Sequence, residues 1–107
     1  MQHIQHHTGL AWYTFTGPDR TFKHALVTRL GGASRPPFAS LNLGSTVGDS
    51  PGAVAENHRR LFSALDLNPR QVVSPHQVHS RHVAWVKPGD AGAVIPETDA
   101  LITHSPD

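Results

Sequence analysis

The sequence contains no cysteine. Within this chain that excludes a disulfide, a thiolate nucleophile and any zinc site built on cysteine sulfur. There is also no apolar run approaching the roughly 20 residues that a membrane-spanning helix needs. The amino terminus, Met1-Gln2-His3-Ile4-Gln5-His6-His7, lacks the basic start and apolar stretch of a secretory signal. Charge of a single sign is missing too: nine Lys and Arg face eight Asp and Glu, for a net charge of +1 with neutral histidines. That balance provides no electrostatic footprint for nucleic acid or an anionic membrane. A soluble, cytoplasmic protein is the simplest expectation. Apolar residues make up only 37% of the chain, below the usual share for a compact domain. Nine glycines and nine prolines explain part of the deficit. A segment that normally packs against a second half would also be poor in apolar residues.

Histidine is in excess, with nine residues. An unperturbed imidazole titrates at ~6.5, so the chain gains positive charge as pH falls to about 6. The length of 107 residues suits one domain or part of a larger one. Residues 1–9 are expected to be a frayed tail. The His3, His6 and His7 group within them then amounts to adventitious metal affinity.

Leu10 to Thr16 is aromatic and β-branched and reads as a strand. Gly17-Pro18-Asp19 is a turn signal, and Lys23 to Leu30 reads as a second strand. Its alternation puts Ala25, Val27 and Arg29 on one face. Gly31 to Phe38 is a loop, Ser40 to Leu43 a short extended piece, and Gly44 to Asp49 another loop. One main helix is expected over about 50–66. Ser50 is its N-cap and Pro51 its first residue, and Val54, His58, Leu61 and Leu65 form the apolar face. Val72-Val73 and Arg81 to Lys87 read as strands, separated by a break at Ser74-Pro75. Pro88-Gly89-Asp90 is a turn, residues 91–98 are loop, and Ala100 to Thr103 is a last strand. No repeat or linker divides the chain. The expected class is α+β, a β-rich mixed sheet with one main helix.

His79 is the sharpest candidate for chemistry. Imidazole is the commonest metal ligand, yet a lone histidine in Gln77-Val78-His79 also fits a hydrogen-bonded surface residue. His76, His79 and His82 are spaced by three, but Pro75 opposes a helix there, and on a strand residues 79 and 82 face opposite ways. Arg29, just before Gly31-Gly32, has a guanidinium suited to phosphate or carboxylate; a strand-end salt bridge is the plainer reading. Asn42 alternates with Leu41 and Leu43, and its amide can serve a purine edge or stabilise a turn. Asp49 reads as a helix-start residue near the positive end of the dipole. Asp99 precedes the last strand. Trp12, Trp85, Phe15 and Phe62 read as core.

Taken together, several segments resemble one family. They are Thr28 to Ser34, Pro37 to Gly44, Val47-Gly48-Asp49, Val54 to Arg59, Gln77-Val78-His79 and Asp99 to Thr103. Their order over about residues 24 to 107 is similar to that of the YfiH family, once described as multicopper polyphenol oxidases or laccase-domain proteins. The resemblance implies the amino-terminal portion of a zinc-dependent purine nucleoside phosphorylase and adenosine deaminase, a transferase and hydrolase. By that resemblance His79 matches the first zinc ligand, and Arg29 and Asn42 match residues lining the nucleoside and phosphate site. Family members are more than twice as long. Their other two ligands are the Cys of an Ala-Asp-Cys motif and the His of a His-Ala-Gly-Trp-Arg-Gly motif, and neither motif occurs here. His58 follows Asn57 where the family has Arg, and Ser80 follows His79 where it has Gly.

The resemblance therefore implies a chain that is inactive alone, whose partners in a complete enzyme are purine nucleoside and phosphate. The alternative is a non-catalytic binding or self-associating domain, using the face that a further half would cover. Copper oxidation is disfavoured by the lack of cysteine and of any His-x-His pair.

Overall fold

The computed structural model describes residues 1–15 and 23–105. The expected turn at Gly17-Pro18-Asp19 lies outside the described residues. The chain falls into two compact units, residues 1–66 and 67–107, each with its own sheets. Together they make an α+β chain rich in strands, with one main helix.

In the first unit, β1 (Gln2–Gln5), β2 (Ala11–Thr14) and β3 (Leu26–Val27) form an antiparallel sheet in that order. The expected frayed tail is instead an ordered strand. Gln2 to Gln5 pair with Thr14 to Ala11, which places Ile4 opposite Trp12. The connection closes through His6 N–H to the Leu10 carbonyl at 2.8 Å and Gly9 N–H to the His6 carbonyl at 3.1 Å. Gly9 takes a φ of 99° there, a conformation open to glycine and costly for other residues. β3 is much shorter than the expected strand over residues 23–30. The Arg29 carbonyl leaves the ladder to accept the Ser40 and Leu41 N–H groups at 3.0 and 2.8 Å. For the same reason residues 40–43 serve this loop contact and form no strand.

Helix α1 spans Pro51–Ala64. Proline at its start wastes no hydrogen bond. Ser50 sits at the cap position but makes no side-chain cap bond; its N–H instead donates to Asp49 Oδ1 at 2.7 Å. The helix stops two residues short of the expected end, and Asp66 turns to a φ of 57°. Leu10, Trp12, Leu41 and Leu61 form the buried core, flanked by Ile4, Val27, Leu43 and Phe62 among others. The helix face is not quite the expected one. Val54 and Leu61 are buried as expected, but the residue sealed between them is Asn57, with His58 and Leu65 only half-buried.

In the second unit, β4 (Ser74–Pro75) pairs in parallel with β6 (Val94–Ile95), and β5 (Val83–Val86) with β7 (Ala100–Thr103). The break expected at Ser74-Pro75 is itself the strand, and the expected loop over residues 91–98 contains its partner. Ser74 and His76 donate N–H groups to the Ala93 and Ile95 carbonyls at 3.1 and 2.8 Å. Pro75 falls between these two donors, where its missing N–H costs the ladder nothing. β7 and the turn at Pro88–Asp90 match expectation.

Candidate functional site

The candidate residues fall in both units, and each unit organises its own around a carboxylate. In the first unit the loop after β3 folds back onto itself because of two glycines. A Cβ on Gly32 would lie 2.0 Å from the Ser40 carbonyl oxygen, and one on Gly31 would lie 2.5 Å from the Leu10 nitrogen. These glycines therefore serve close backbone packing. Arg29, just before them, is exposed. Its carbonyl accepts the Ser40 hydroxyl at 2.8 Å as well as the two N–H groups already described. With Leu30, Ala39 and Ser40, Arg29 lines a depression of about 230 Å³.

The same loop is latched to α1 by three helix side chains. Asn57, which is 0% exposed, accepts the Ala33 N–H at 2.6 Å and donates through Nδ2 to Ser34 Oγ and to the Asn42 carbonyl, both at 2.8 Å. His58 Nε2 lies 2.9 Å from the Leu43 carbonyl, and Arg60 donates to the Gly31 carbonyl at 3.1 Å. The Ser34 hydroxyl donates in turn to Asp49 Oδ2 at 2.5 Å. Asn42 donates to that oxygen at 3.2 Å and to the Gly44 carbonyl at 3.3 Å, and its Oδ1 accepts the Gly44 N–H at 3.1 Å. The Asn42 amide is thus engaged within the loop as a turn-stabilising group. The Ser34 hydroxyl holds the Asp49 carboxyl below the usual range, burial opposes that effect, and Asn42 and the Ser50 N–H add to it. Next to this network Glu56 is held at about 2 by Arg59 and then Arg60, its ion-pair partners on the helix surface.

In the second unit the segment carrying His79 is a loop, so strand alternation does not govern it. His79 is exposed and has a φ of 58°. Asp99 Oδ1 accepts the N–H groups of Val78 at 2.9 Å and His79 at 2.8 Å, and Oδ2 accepts the Ser80 N–H at 2.6 Å. The Ser80 hydroxyl also donates to Oδ2. Three successive N–H groups converging on one anion form a nest. The Ser80 hydroxyl, and then the N–H groups of Ser80, Val78 and His79, hold Asp99 at about 2 against an opposing effect of burial. His82 is tied elsewhere, with Nδ1 3.2 Å from the Glu97 carbonyl. Among the described residues no group of three or more His, Cys, Asp or Glu is placed to hold a metal ion.

Sequence reasoning named Arg29, Asn42 and His79 but missed Ser34, Asn57 and Ser80, and gave Asp49 and Asp99 only local roles. For Asn57 a signal existed: a polar residue stands between Val54 and Leu61 at helical spacing. For Ser34 and Ser80 no signal existed, since their partners lie 15 and 19 residues away.

Comparison with known proteins extends this picture. Residues 23–107 match the family model described as multi-copper polyphenol oxidoreductase laccase. A purine nucleoside phosphorylase of Corynebacterium glutamicum is 43% identical over 86 residues, covering 79% of this chain and 35% of the relative. The crystal structure of YlmD from Geobacillus stearothermophilus superposes with a TM-score of 0.78 at 31% identity, covering 96% of this chain and 40% of that one. The Bacillus licheniformis hypothetical protein YfiH gives 0.73 at 30% identity, covering 77% and 33%. The chain spans about a third of the length of the curated relatives it matches. Among the described residues no helix is long and apolar enough to cross a membrane. With most of its length matched by the family model and its fold shared with both solved structures, the chain belongs to the multi-copper polyphenol oxidoreductase laccase family, as an amino-terminal portion of the YfiH type.

Proposed function

We propose that this chain supplies the amino-terminal part of a zinc-dependent enzyme that cleaves purine nucleosides with phosphate and deaminates adenosine. One observation carries the reading: within the family-matched segment, an exposed His79 is presented on a loop pinned by four hydrogen bonds to Asp99. A histidine offered to a metal benefits from such rigid support.

The residues present do not fit zinc by themselves. Zinc takes four ligands, or three and a water. His79 is one, cysteine is absent, and the Asp99 carboxylate is committed to its nest. Arg29 is the proposed phosphate holder; its depression is smaller than the ~300–1,000 Å³ typical of a ligand pocket and suits an anion better than a whole nucleoside. Asn42 is the proposed base or ribose contact, through Oδ1, whose described bond is to the Gly44 N–H.

On this reading the 107-residue chain alone does not turn over. The test is zinc per chain by elemental mass spectrometry after dialysis against a weak chelator, with adenosine and inosine turnover in phosphate followed by chromatography. Sub-stoichiometric zinc and no turnover are expected. Saturable adenosine cleavage that disappears in His79→Ala would falsify the claim that this part is inactive alone.

A second reading is a self-associating domain, and a specific observation favours it. Parallel sheets are normally covered on both faces, yet Val83 and Trp85 on β5 are 61% and 58% exposed and Ile102 on β7 is 45% exposed. Sedimentation velocity over a concentration series decides it: this reading requires a concentration-dependent oligomer weakened by Trp85→Ser, and a monomer throughout excludes it.

A further inference from the structure

The Val78–Ser80 loop poses a physical question that the metal reading leaves open: why does it hold its shape? His79 has a φ of 58°. Residues with a β-carbon seldom keep that conformation unless their surroundings enforce it. No regular ladder enforces it, because the loop lies between β4 and β5. The hydrogen bonds available to its backbone N–H groups converge instead on one side chain.

That side chain stands on a firm base. Asp99 directly precedes β7, and its own N–H donates to the His82 carbonyl at 3.0 Å. The Thr98 N–H donates to the His76 carbonyl at 3.1 Å. The two ends of the loop are therefore fastened to the Thr98-Asp99 segment that carries the carboxylate. The work is divided between its oxygens: Oδ1 takes Val78 and His79, and Oδ2 takes Ser80 twice. The Ser80 hydroxyl accepts the His82 N–H at 3.2 Å, which carries the arrangement on to the start of β5.

We propose that Asp99 is the positioning residue for His79: its carboxylate fills the N–H nest of residues 78–80 as a built-in anion and holds the His79 backbone in the left-handed conformation that presents the imidazole to solvent. Its functional meaning rests on the reading of His79 as a metal ligand; its geometry does not, and is measured without metal. The nest is a generic receptor for a carboxylate-sized anion, so removing the Asp99 side chain leaves an empty receptor in place. A small carboxylate from solution then substitutes for the lost group.

The experiment is NMR on the metal-free, isotope-labelled 107-residue chain. In Asp99→Ala the three-bond HN–Hα coupling and Cα shift of His79 lose their left-handed values. Exchange of the Val78, His79 and Ser80 amides accelerates by about tenfold or more relative to amides of α1. Sodium formate, titrated in, restores the His79 shifts saturably, whereas equal sodium chloride does not. A side chain that merely filled space would not be replaced by formate. Asp99→Asn provides the second variant, in case the alanine variant fails to fold. Its Oδ1 still accepts from Val78 and His79, while its amide NH2 cannot accept from Ser80, so only the Ser80 amide loses protection.

Unchanged His79 shifts in Asp99→Ala, no response to formate, or three amides behaving alike in Asp99→Asn would each overturn the proposal. These readouts use no metal, so the metal reading is tested apart from them. Stoichiometric zinc or saturable turnover in the wild-type chain overturns the claim that the chain alone is inactive and leaves the positioning result standing.

Discussion

Replacing Asn57 by alanine removes a side chain that solvent does not reach and deletes three hydrogen bonds at once. The three partners do not suffer equally. Ala33 is exposed, so its N–H regains water. Ser34 is buried but keeps Asp49 as the acceptor of its hydroxyl. The Asn42 carbonyl loses its donor in a half-buried place. One or two groups left unpaired at about 1–3 kcal/mol each give a loss of about 1–6 kcal/mol, before any cavity penalty is added. Against a typical domain stability of about 5–15 kcal/mol, that is a large fraction. The assay is urea unfolding followed by Trp12 fluorescence in a Trp85→Phe background, so that the reporter sits in the same unit as the network. The midpoint is expected to fall with an unchanged slope, the sign of a stability change within one cooperative transition. Asn57→Asp keeps an acceptor for Ala33 but faces Ser34 and the Asn42 carbonyl with oxygen, and should lose at least as much at neutral pH. A loss below about 1 kcal/mol in both variants would mean that the loop does not depend on its latch to α1, and the reasoning fails.

Acid provides a second check. Asp99 is held at about 2 and Asp49 below its usual range, so the unfolded chain binds these protons more readily than the folded one. Their contribution to stability is complete above the ordinary carboxylate value of about 4 and is lost as pH falls below it, for Asp99 toward about 2. An acid titration followed by circular dichroism should show this loss, and Asp99→Asn should flatten the part it owns; a titration indifferent to Asp99→Asn contradicts the assignment. The glycines make a third, graded test by thermal melting. Gly32→Ala and Gly31→Ala should be severely destabilising because the new methyl meets backbone atoms, while Gly89→Ala, with nothing within 4 Å of its added carbon, should be close to neutral. Equal effects at positions 32 and 89 would show that the close approach at Gly32 is not needed.

The helix shows how local signals and packing divide the work. Its start at Ser50-Pro51 and its existence were legible because proline at the first position and apolar spacing act within a few residues. Its buried face was not fully legible. Periodicity ranks residues by hydrophobicity, and Asn57 is driven inside by three partners that the chain brings together from residues 33, 34 and 42. The amino-terminal strand was missed for a related reason. A short polar segment such as Gln2–Gln5 carries little propensity of its own, and its order comes from pairing with β2. The parallel partners at Ser74–Pro75 and Val94–Ile95 are only two residues each, too short for a period to be seen.

By itself the sequence determined the chemical inventory: no cysteine ligand, a candidate histidine at position 79, an arginine before two glycines, one helix and a closing strand, in an order that resembles one family. Tertiary structure alone decided what those groups are tied to. Gly31 and Gly32 are required by backbone contacts with Leu10 and Ser40, the Asn42 amide is turned toward Gly44 and Asp49, and Asp99 reaches back 20 residues to hold His79. The physical reason is that a polar side chain's role is set by the partners available to it in space, and a hydrogen bond across such sequence separations leaves no periodic mark in the chain.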